Sequence, residues 1–197
     1  MNRLRAGIAL YNTGHYLAAH EPLEELWLEA PAGERDDCIQ GLIQATAAVY
    51  KSRVGNETGA VGLAESAIGY VNECDGFAVA VDPLVTWLER LAAEPALGER
   101  ETPPDLRFDG EAIDPYKLTP GELLVAAEAV AETNGDNVLM RAVEYAESDI
   151  RSGHESSPFV TLTLDCISES DPVVRQRLRE HVERRQARES EVDGLFK

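Results

Sequence analysis

The chain has 197 residues, of which 44% are hydrophobic, and its 36 acidic and 18 basic side chains give a formal net charge of −18. This length is enough for one core or at most two small ones, and the charge opposes a phosphate-binding surface over the whole molecule. Only three of the bases are lysines: Lys51, Lys117 and Lys197. We interpret the acidity as adaptation to a salt-rich cytoplasm, because carboxylates hold water and cations there and salt screens their repulsion.

Helical periodicity dominates the first half of the chain. Its first apolar run, residues 7–11, is too short for a secretory signal, and no run approaches the ~20 residues of a membrane span. We therefore expect a cytoplasmic protein that makes no membrane contact. Gly14 and Gly55 suit helix ends, and Pro22 falls in or just past a first helical turn, where its missing N–H costs little. The spacing of apolar residues predicts five helices, over about 2–13, 17–30, 34–54, 58–74 and 82–93.

Residues 95–118 interrupt this pattern. Four prolines in this stretch exclude a continuous helix. Within it, Asp109-Gly110 lies between two short apolar arms, and this arrangement indicates one short β-hairpin near residues 106–113. Arms of three residues need packing against helices to be stable.

Helices resume after this connection. Thr119 and Glu122 are spaced as a capping box. Residues 158–168 alternate as a strand would, yet Ser157-Pro158 is typical of a helix start, and we assign a helix there. The predicted C-terminal helices cover about 120–132, 136–152, 158–168 and 171–189.

Together these elements predict an all-α fold, a compact helical bundle of about eight or nine helices with the one short hairpin as its β-structure. We divide the chain into a helical domain over 1–94 and a proline-rich connection over 95–118. A C-terminal helical extension over 119–197 is expected to pack on the same body.

The cysteines, Cys38, Cys74 and Cys166, are few, odd in number and far apart, and no two form a CxxC pair. This pattern is typical of neither a disulfide framework nor a thiol metal site. We expect each cysteine to be a small buried apolar residue.

Polar side chains interrupt the apolar face of the second predicted helix. His20, Leu23, Glu24 and Trp27 fall at i, i+3, i+4 and i+7, which is one face of a helix. Glu21 lies at the edge of that face. We expect the histidine–glutamate pair to face inward, where polar groups need partners because burying them without hydrogen bonds is costly.

Several sequence blocks of the N-terminal half follow one another in order. They are Tyr11-Asn12 with Gly14-His15-Tyr16, Ala19-His20-Glu21 with Leu23-Glu24 and Trp27, Gln40-Gly41-Leu42-Ile43-Gln44, Arg53, Gly55-Asn56 and Gly59-Ala60. Over residues 4–70 this ordered set resembles the domain of unknown function 309 family. The resemblance implies an all-α helical domain with a polar cluster and no assigned activity. Similar members often carry a glutamate where this chain has Ala18, and its absence weakens a metal site that needs the extra carboxylate.

Two interpretations of the polar cluster involve no metal. In the first, which we favour, the histidine–glutamate pair forms a buried hydrogen-bond network with the side-chain amides of Gln40 and Gln44, one turn apart on the third helix. In the second, the cluster belongs to a small-ligand pocket walled by Trp27 and Tyr50. Both aromatic residues are more simply explained as core anchors.

In a third interpretation His20, Glu21 and Glu24 bind a metal ion, because side chains one turn apart reach a common point. A zinc-protease HExxH helix carries a second histidine where this chain has Glu24. A ferritin-like centre needs two Glu-x-x-His pairs, and we find no second such pair. The sequence contains no P-loop, GxGxxG or GxSxG motif, so we expect no cofactor.

The last predicted helix is rich in arginine. Arg177, His181, Arg184 and Arg188 fall on one stripe, which would suit phosphate contacts. We favour the alternative that the helix neutralises an acidic body through pairs such as Glu180 with Arg184. Binding to nucleic acid is therefore not our main expectation.

The function expected from the sequence is a non-enzymatic binding or interaction module organised by the polar cluster. One rival is a metal-dependent hydrolase that uses His20, Glu21 and Glu24, and the other is nucleic-acid binding through the last helix. The sequence leaves open whether the partner is a small molecule or a protein, and whether the chain forms a homo-oligomer.

Adaptation to salt predicts a response of thermal stability. Molar KCl should raise the unfolding temperature by about 5 °C or more, since it shortens the Debye length to about 3 Å and screens the repulsion among carboxylates. Circular dichroism melts in low-salt buffer and in molar KCl measure this shift. An unfolding temperature that does not change with KCl would contradict the interpretation.

Overall fold

The computed structural model describes residues 2–72, 74, 77–169 and 171–195. Over these residues the chain is an all-α bundle of ten helices with one small antiparallel sheet, as predicted. The helices are α1 (Asn2–Asn12), α2 (Tyr16–Glu29), α3 (Asp37–Arg53), α4 (Glu57–Val71), α5 (Asp82–Ala93), α6 (Leu97–Arg100), α7 (Pro120–Asn134), α8 (Asn137–Arg151), α9 (Pro158–Ser168) and α10 (Pro172–Leu195).

The first four helices pack as sequential neighbours, because the turns between them are short and each helix has an apolar face. Small residues bring α3 and α4 close together. A Cβ added at Gly41 of α3 would lie 2.4 Å from Cγ1 of Val71, so only glycine fits there. On the other helix, Ala60, Ala64 and Ala67 are fully buried. The small-residue face of α4 is therefore a packing surface.

This helical hairpin also joins two cysteines. Cys38 and Cys74 form a disulfide, with 5.6 Å between their Cα atoms, and the expectation that both are unpaired apolar residues is wrong. They are 36 residues apart in sequence, but antiparallel packing places the beginning of α3 beside the end of α4. Disulfides are rare in reducing cytoplasm, so this bond counts against the cytoplasmic expectation. Cys166 of α9 is a free, buried thiol.

The predicted hairpin near residues 106–113 is present as β2 (Arg107–Phe108) and β3 (Glu111–Ala112). Its turn residues, Asp109 and Gly110, have φ angles of 50° and 82°, and two-residue turns of this kind require positive values. A strand that the sequence did not predict, β1 (Val79–Ala80), pairs antiparallel with β2. The resulting order is β1-β2-β3.

One asparagine attaches the hairpin to the bundle. Asn12, the last residue of α1, donates from Nδ2 to the carbonyl oxygens of Leu106 at 2.9 Å and Ile113 at 2.8 Å. Its Oδ1 accepts from the N–H of Leu106 at 2.8 Å. One side chain thus holds the chain on both sides of the two strands.

The C-terminal helices pack on the N-terminal ones through α7, which lies against α1 and α2. The capping box of Thr119 and Glu122 forms as predicted. Glu122, whose side chain is only 5% exposed, also accepts from Arg5 of α1 at 2.8 Å. In the described part of the chain, no helix combines the length and hydrophobicity that crossing a bilayer requires.

Some boundaries differ from the prediction. The stretch 158–168 is helical, as assigned, because Ser157 caps it and accepts from the N–H of Val160. The helix predicted over 171–189 runs to Leu195. The sequence did not predict α6, because a helix of four residues is too short to show a helical periodicity.

Replacing Asn12 tests this attachment. Asn12→Ala should lower the free energy of unfolding by about 2–3 kcal/mol, because the part-buried N–H and carbonyl groups it serves lose their partners. Chemical denaturation measures the change. Asn137→Ala, at an exposed position that begins α8, is the control and should change stability by less than about 0.5 kcal/mol. Equal effects from both substitutions would contradict the assigned role.

Candidate functional site

Helix α2 brings His20, Glu21 and Glu24 together. One ligand atom from each side chain lies within 4.8 Å of the other two. His20 Nδ1 is 3.8 Å from Glu24 Oε2, as expected for side chains one turn apart. This histidine–dicarboxylate group is the predicted metal ligand set, and we call it the α2 triad.

The α2 triad lies at the surface rather than in the core. The His20 side chain is 29% exposed, that of Glu24 is 47% exposed, and Glu21 is also exposed. The expectation that His20 and Glu24 face the core is therefore wrong, because both side chains are partly exposed. The buried residues of α2 are instead Tyr16, Ala18, Ala19, Pro22 and Leu23, and of these Ala19 and Leu23 have no exposed surface.

The buried amide network around the pair is not observed. Gln40 and Gln44 are half-buried on α3, and among the described residues no hydrogen bond joins either amide to His20 or Glu24. The solvent-exposed position of the pair explains this, because water can satisfy both side chains. The network stays an expectation without a contact to support it.

The two aromatic residues of the predicted pocket do not share a cavity. Trp27 is half-buried, and the Arg35 guanidinium lies 4.2 Å from the centre of its ring. Its Nε1 is buried and has no hydrogen-bond partner within the described ranges. Tyr50 instead lines a cavity of about 310 Å³ with His15 and Tyr16.

A cleft rich in carboxylates adjoins the triad through Glu21. It has a volume of about 290 Å³ and lies between α2 and α7. Its lining residues are Arg3, Glu21, Pro22, Glu25, Val125, Glu128, Ala129 and Glu132. Arg3 bonds to Glu25 at 2.7 Å and to Glu29 outside the cleft at 2.8 Å. Four glutamates against one arginine make this acidic cleft favourable for cations.

Burial raises the pKa of Glu128 in this cleft, and the negative charges of Glu132 and Glu25 raise it further. The part of this rise that comes from the other glutamates reflects repulsion between like charges. A cation in the cleft would relieve that repulsion.

Sequence reasoning missed a second group of residues from the same blocks. The rings of Tyr11 and Tyr16 meet edge-to-face at 5.3 Å between centroids, and the guanidinium of Arg53 lies 5.2 Å from the Tyr16 ring. Burial raises the pKa of Tyr11, whose hydroxyl has no partner in the described residues. All three residues belong to the ordered sequence blocks, but no local pattern indicates that Arg53 packs against Tyr16 in the fold.

The arginine stripe of the last helix divides in the structure. Arg177 and Arg184 are exposed, and Arg184 pairs with Glu180 at 4.0 Å. Arg188 and His181 instead line a cavity between α8, α9 and α10. The stripe is therefore not one continuous phosphate-binding surface.

The one free thiol is unsuited to nucleophilic chemistry. Burial raises the pKa of Cys166 to about 11, so the thiol is protonated at neutral pH.

Comparisons with known proteins give a family match for the N-terminal third of the chain and name no activity. Residues 4–63 match the family model Domain of unknown function (DUF309), a stretch that lies within the residues over which the ordered blocks resemble this family. An uncharacterized protein of Aquifex aeolicus (strain VF5) is 30% identical over 101 residues, which are 50% of this chain and 29% of that protein. The chain thus spans less than one third of that relative. No solved structure matches the chain significantly.

The acidic cleft predicts a pH-dependent gain in stability from Glu128→Gln. When the pKa of a carboxyl is higher in the folded protein than in the unfolded chain, the folded state binds more protons at that group. Its ionised form therefore destabilises the fold at pH 7, and this cost disappears as pH falls below the ordinary pKa of 4.5. The substitution should raise the unfolding temperature by about 1–2 °C at pH 7 and have no effect near pH 4.

Thermal melts at both pH values check this result. Glu155→Gln, an exposed glutamate between α8 and α9, is the control and should change neither melt. A gain at pH 7 that persists unchanged near pH 4 would show that charge repulsion is not its cause.

Proposed function

We propose that this protein is a non-enzymatic binding module whose α2 triad binds a divalent transition-metal cation. The observation that carries the proposal is the convergence of three ligand atoms, one from a histidine and two from carboxylates, within 4.8 Å of one another. Because all three side chains are at least partly exposed, a cation can reach them without rearrangement of the core.

The donor set favours a particular class of cation. Imidazole nitrogen with carboxylate oxygen suits Zn²⁺, Co²⁺, Ni²⁺ or Mn²⁺ better than Ca²⁺ or Mg²⁺, which prefer oxygen ligands alone. Three protein ligands also leave coordination positions for water or for a partner's side chain. Such a site suits a module that recognises its partner through a shared ion.

The acidic cleft supports cation binding by its charge. Glu21 belongs both to the triad and to the cleft, so the field of the cleft acts directly at the triad. Glu25, Glu128 and Glu132 add negative potential beside the ion without belonging to the triad. Their mutual repulsion would decrease when a cation binds.

Binding is a better match than metal-dependent hydrolysis. Electrostatic catalysis depends on a site that excludes water, and the Glu24 side chain remains 47% exposed. Neither the family whose model matches residues 4–63 nor the Aquifex aeolicus relative is described by a reaction.

Calorimetric titration of metal-free, untagged protein with Zn²⁺ tests the proposal. We expect one Zn²⁺ per chain, with His20→Ala raising the Kd about tenfold or more, since one of three ligands is lost. His154→Ala replaces an exposed histidine between α8 and α9 and should leave the Kd unchanged.

The remaining outcomes separate the alternatives. Equal binding by His20→Ala and the unsubstituted protein, or no stoichiometric binding, would overturn the metal site. Binding that survives His20→Ala but is lost in Glu128→Gln would place the cation in the acidic cleft instead. Hydrolytic turnover that disappears in folded His20→Ala would overturn the non-enzymatic part of the proposal.

A further inference from the structure

We propose that the cavity between α8, α9 and α10 binds a small molecule with an aromatic body and one anionic group. The cavity is separate from the α2 triad and shares no residue with the acidic cleft. Its volume of about 600 Å³ is within the range of small-molecule sites. The residues that line it are Asp149, Pro158, Phe159, His181, Arg185, Arg188 and Glu189.

Flat side chains form the apolar part of the cavity. The Phe159 ring lies 6.1 Å from the His181 ring, nearly perpendicular to it at 82°. Behind it, Tyr145 packs against Phe159 with 5.0 Å between ring centroids. Pro158, at the start of α9, extends the same wall. Planar walls of this kind accept an aromatic ring by stacking or edge contact.

Four contacts hold Arg185 in place. Its guanidinium lies 4.2 Å from the Tyr145 ring centre and 5.3 Å from that of Phe159. It donates to Asp149 at 2.8 Å and to Glu189 at 3.4 Å. Because its charge is compensated and its side chain is fixed, Arg185 shapes the cavity rather than attracting the ligand.

The two carboxylates of the cavity are already engaged. Asp149 accepts from Arg185, and Glu189 accepts from both Arg185 and the Tyr145 hydroxyl, the latter at 2.7 Å. A cationic ligand would have to displace these bonds. The cavity therefore disfavours cations despite the acidic composition of the chain.

Arg188 supplies the charge for an anion. It follows Arg185 by three residues, which places both on neighbouring sides of α10. Its Nε donates to the backbone oxygen of Arg184 at 3.2 Å, and no ion pair of Arg188 occurs among the residues that the structure describes. Arg188 lines the cavity, and its terminal nitrogens can hold a carboxylate, sulfonate or phosphate in a bidentate contact.

His181 adds a polar group beside the aromatic wall. Burial lowers the pKa of His181, and the nearby charges of Arg184 and Arg188 lower it further. The imidazole is therefore neutral at pH 7 and can both donate and accept a hydrogen bond.

Fluorescence titration with 8-anilinonaphthalene-1-sulfonate, an aromatic sulfonate, tests the site, in EDTA so that metal binding is not involved. We expect saturable binding that Arg188→Gln weakens about tenfold, through loss of a charge-assisted contact. Arg177→Gln removes the same charge from an exposed position of α10 that does not line the cavity, and should change the Kd by less than about twofold. Naphthalene-2-sulfonate should displace the probe, whereas inorganic sulfate at the same concentration should not.

The imidazole proton resonances locate the bound probe. Those of His181 should shift with saturation, while those of His20 on α2 should not. Equal weakening by Arg188→Gln and Arg177→Gln would show attraction to the whole helix and overturn the site. The proposed site would also be overturned if inorganic sulfate displaced the probe, if binding did not saturate, or if the His181 resonances did not shift.

Discussion

Close packing of α1 against α2 is the contact on which the rest of the structure depends. A Cβ added at Gly7 would lie 2.7 Å from Leu23 Cγ and 3.3 Å from the backbone oxygen of Ala19, so only glycine allows the two helices to approach this far. Helix α7 and the hairpin region also pack on α1. Because α1 is buried throughout residues 6–11, the polar side chains beside that stretch need internal partners, and Asn12 and Arg5 find them in the hairpin and in Glu122.

The same contact decides where the candidate site lies. Ala19 and Leu23 of α2 face α1 and have no exposed surface. His20 and Glu24 each follow one of them by a single residue, which is a rotation of about 100° around the helix. That rotation takes the histidine–glutamate pair out of the core and to the solvent margin. The surface position of the proposed metal ligands is thus a consequence of how α2 meets α1.

Local physical chemistry accounts for the parts of the fold that the sequence predicted. Helical periodicity, the Thr119–Glu122 capping box and the Asp109-Gly110 turn each act within a few residues, and all three are present. The buried face of α2 was predicted wrongly because Leu23 belongs to two stripes of the helix, one with Trp27 and the other with Ala19. Alanine gives a weaker apolar signal than tryptophan, so the sequence favoured the stripe with Trp27. A stripe of small residues is easily overlooked although it permits the closest packing.

Non-local contacts account for what the sequence did not predict. The bond between Cys38 and Cys74 depends on antiparallel packing of α3 and α4. The strand β1 has two residues and is defined only by its pairing with β2. The wall of the α8–α10 cavity joins Phe159 to Arg185 and has no motif in the linear sequence. Each of these features depends on contacts between residues that are far apart in sequence, so no local pattern predicts it.

The arginines of this acidic chain have a role that lysines would not fill. Five of them in the described residues lie over aromatic rings: Arg5, Arg35, Arg53, Arg141 and Arg185. A guanidinium stacks on a ring and is more weakly hydrated than an ammonium group, so it combines packing with charge. Salt screens long-range attraction between exposed charges but acts much less on partly buried contacts at van der Waals distance. The aromatic wall that Arg185 shapes would therefore persist in concentrated salt, where a surface that relied on net charge would lose its attraction.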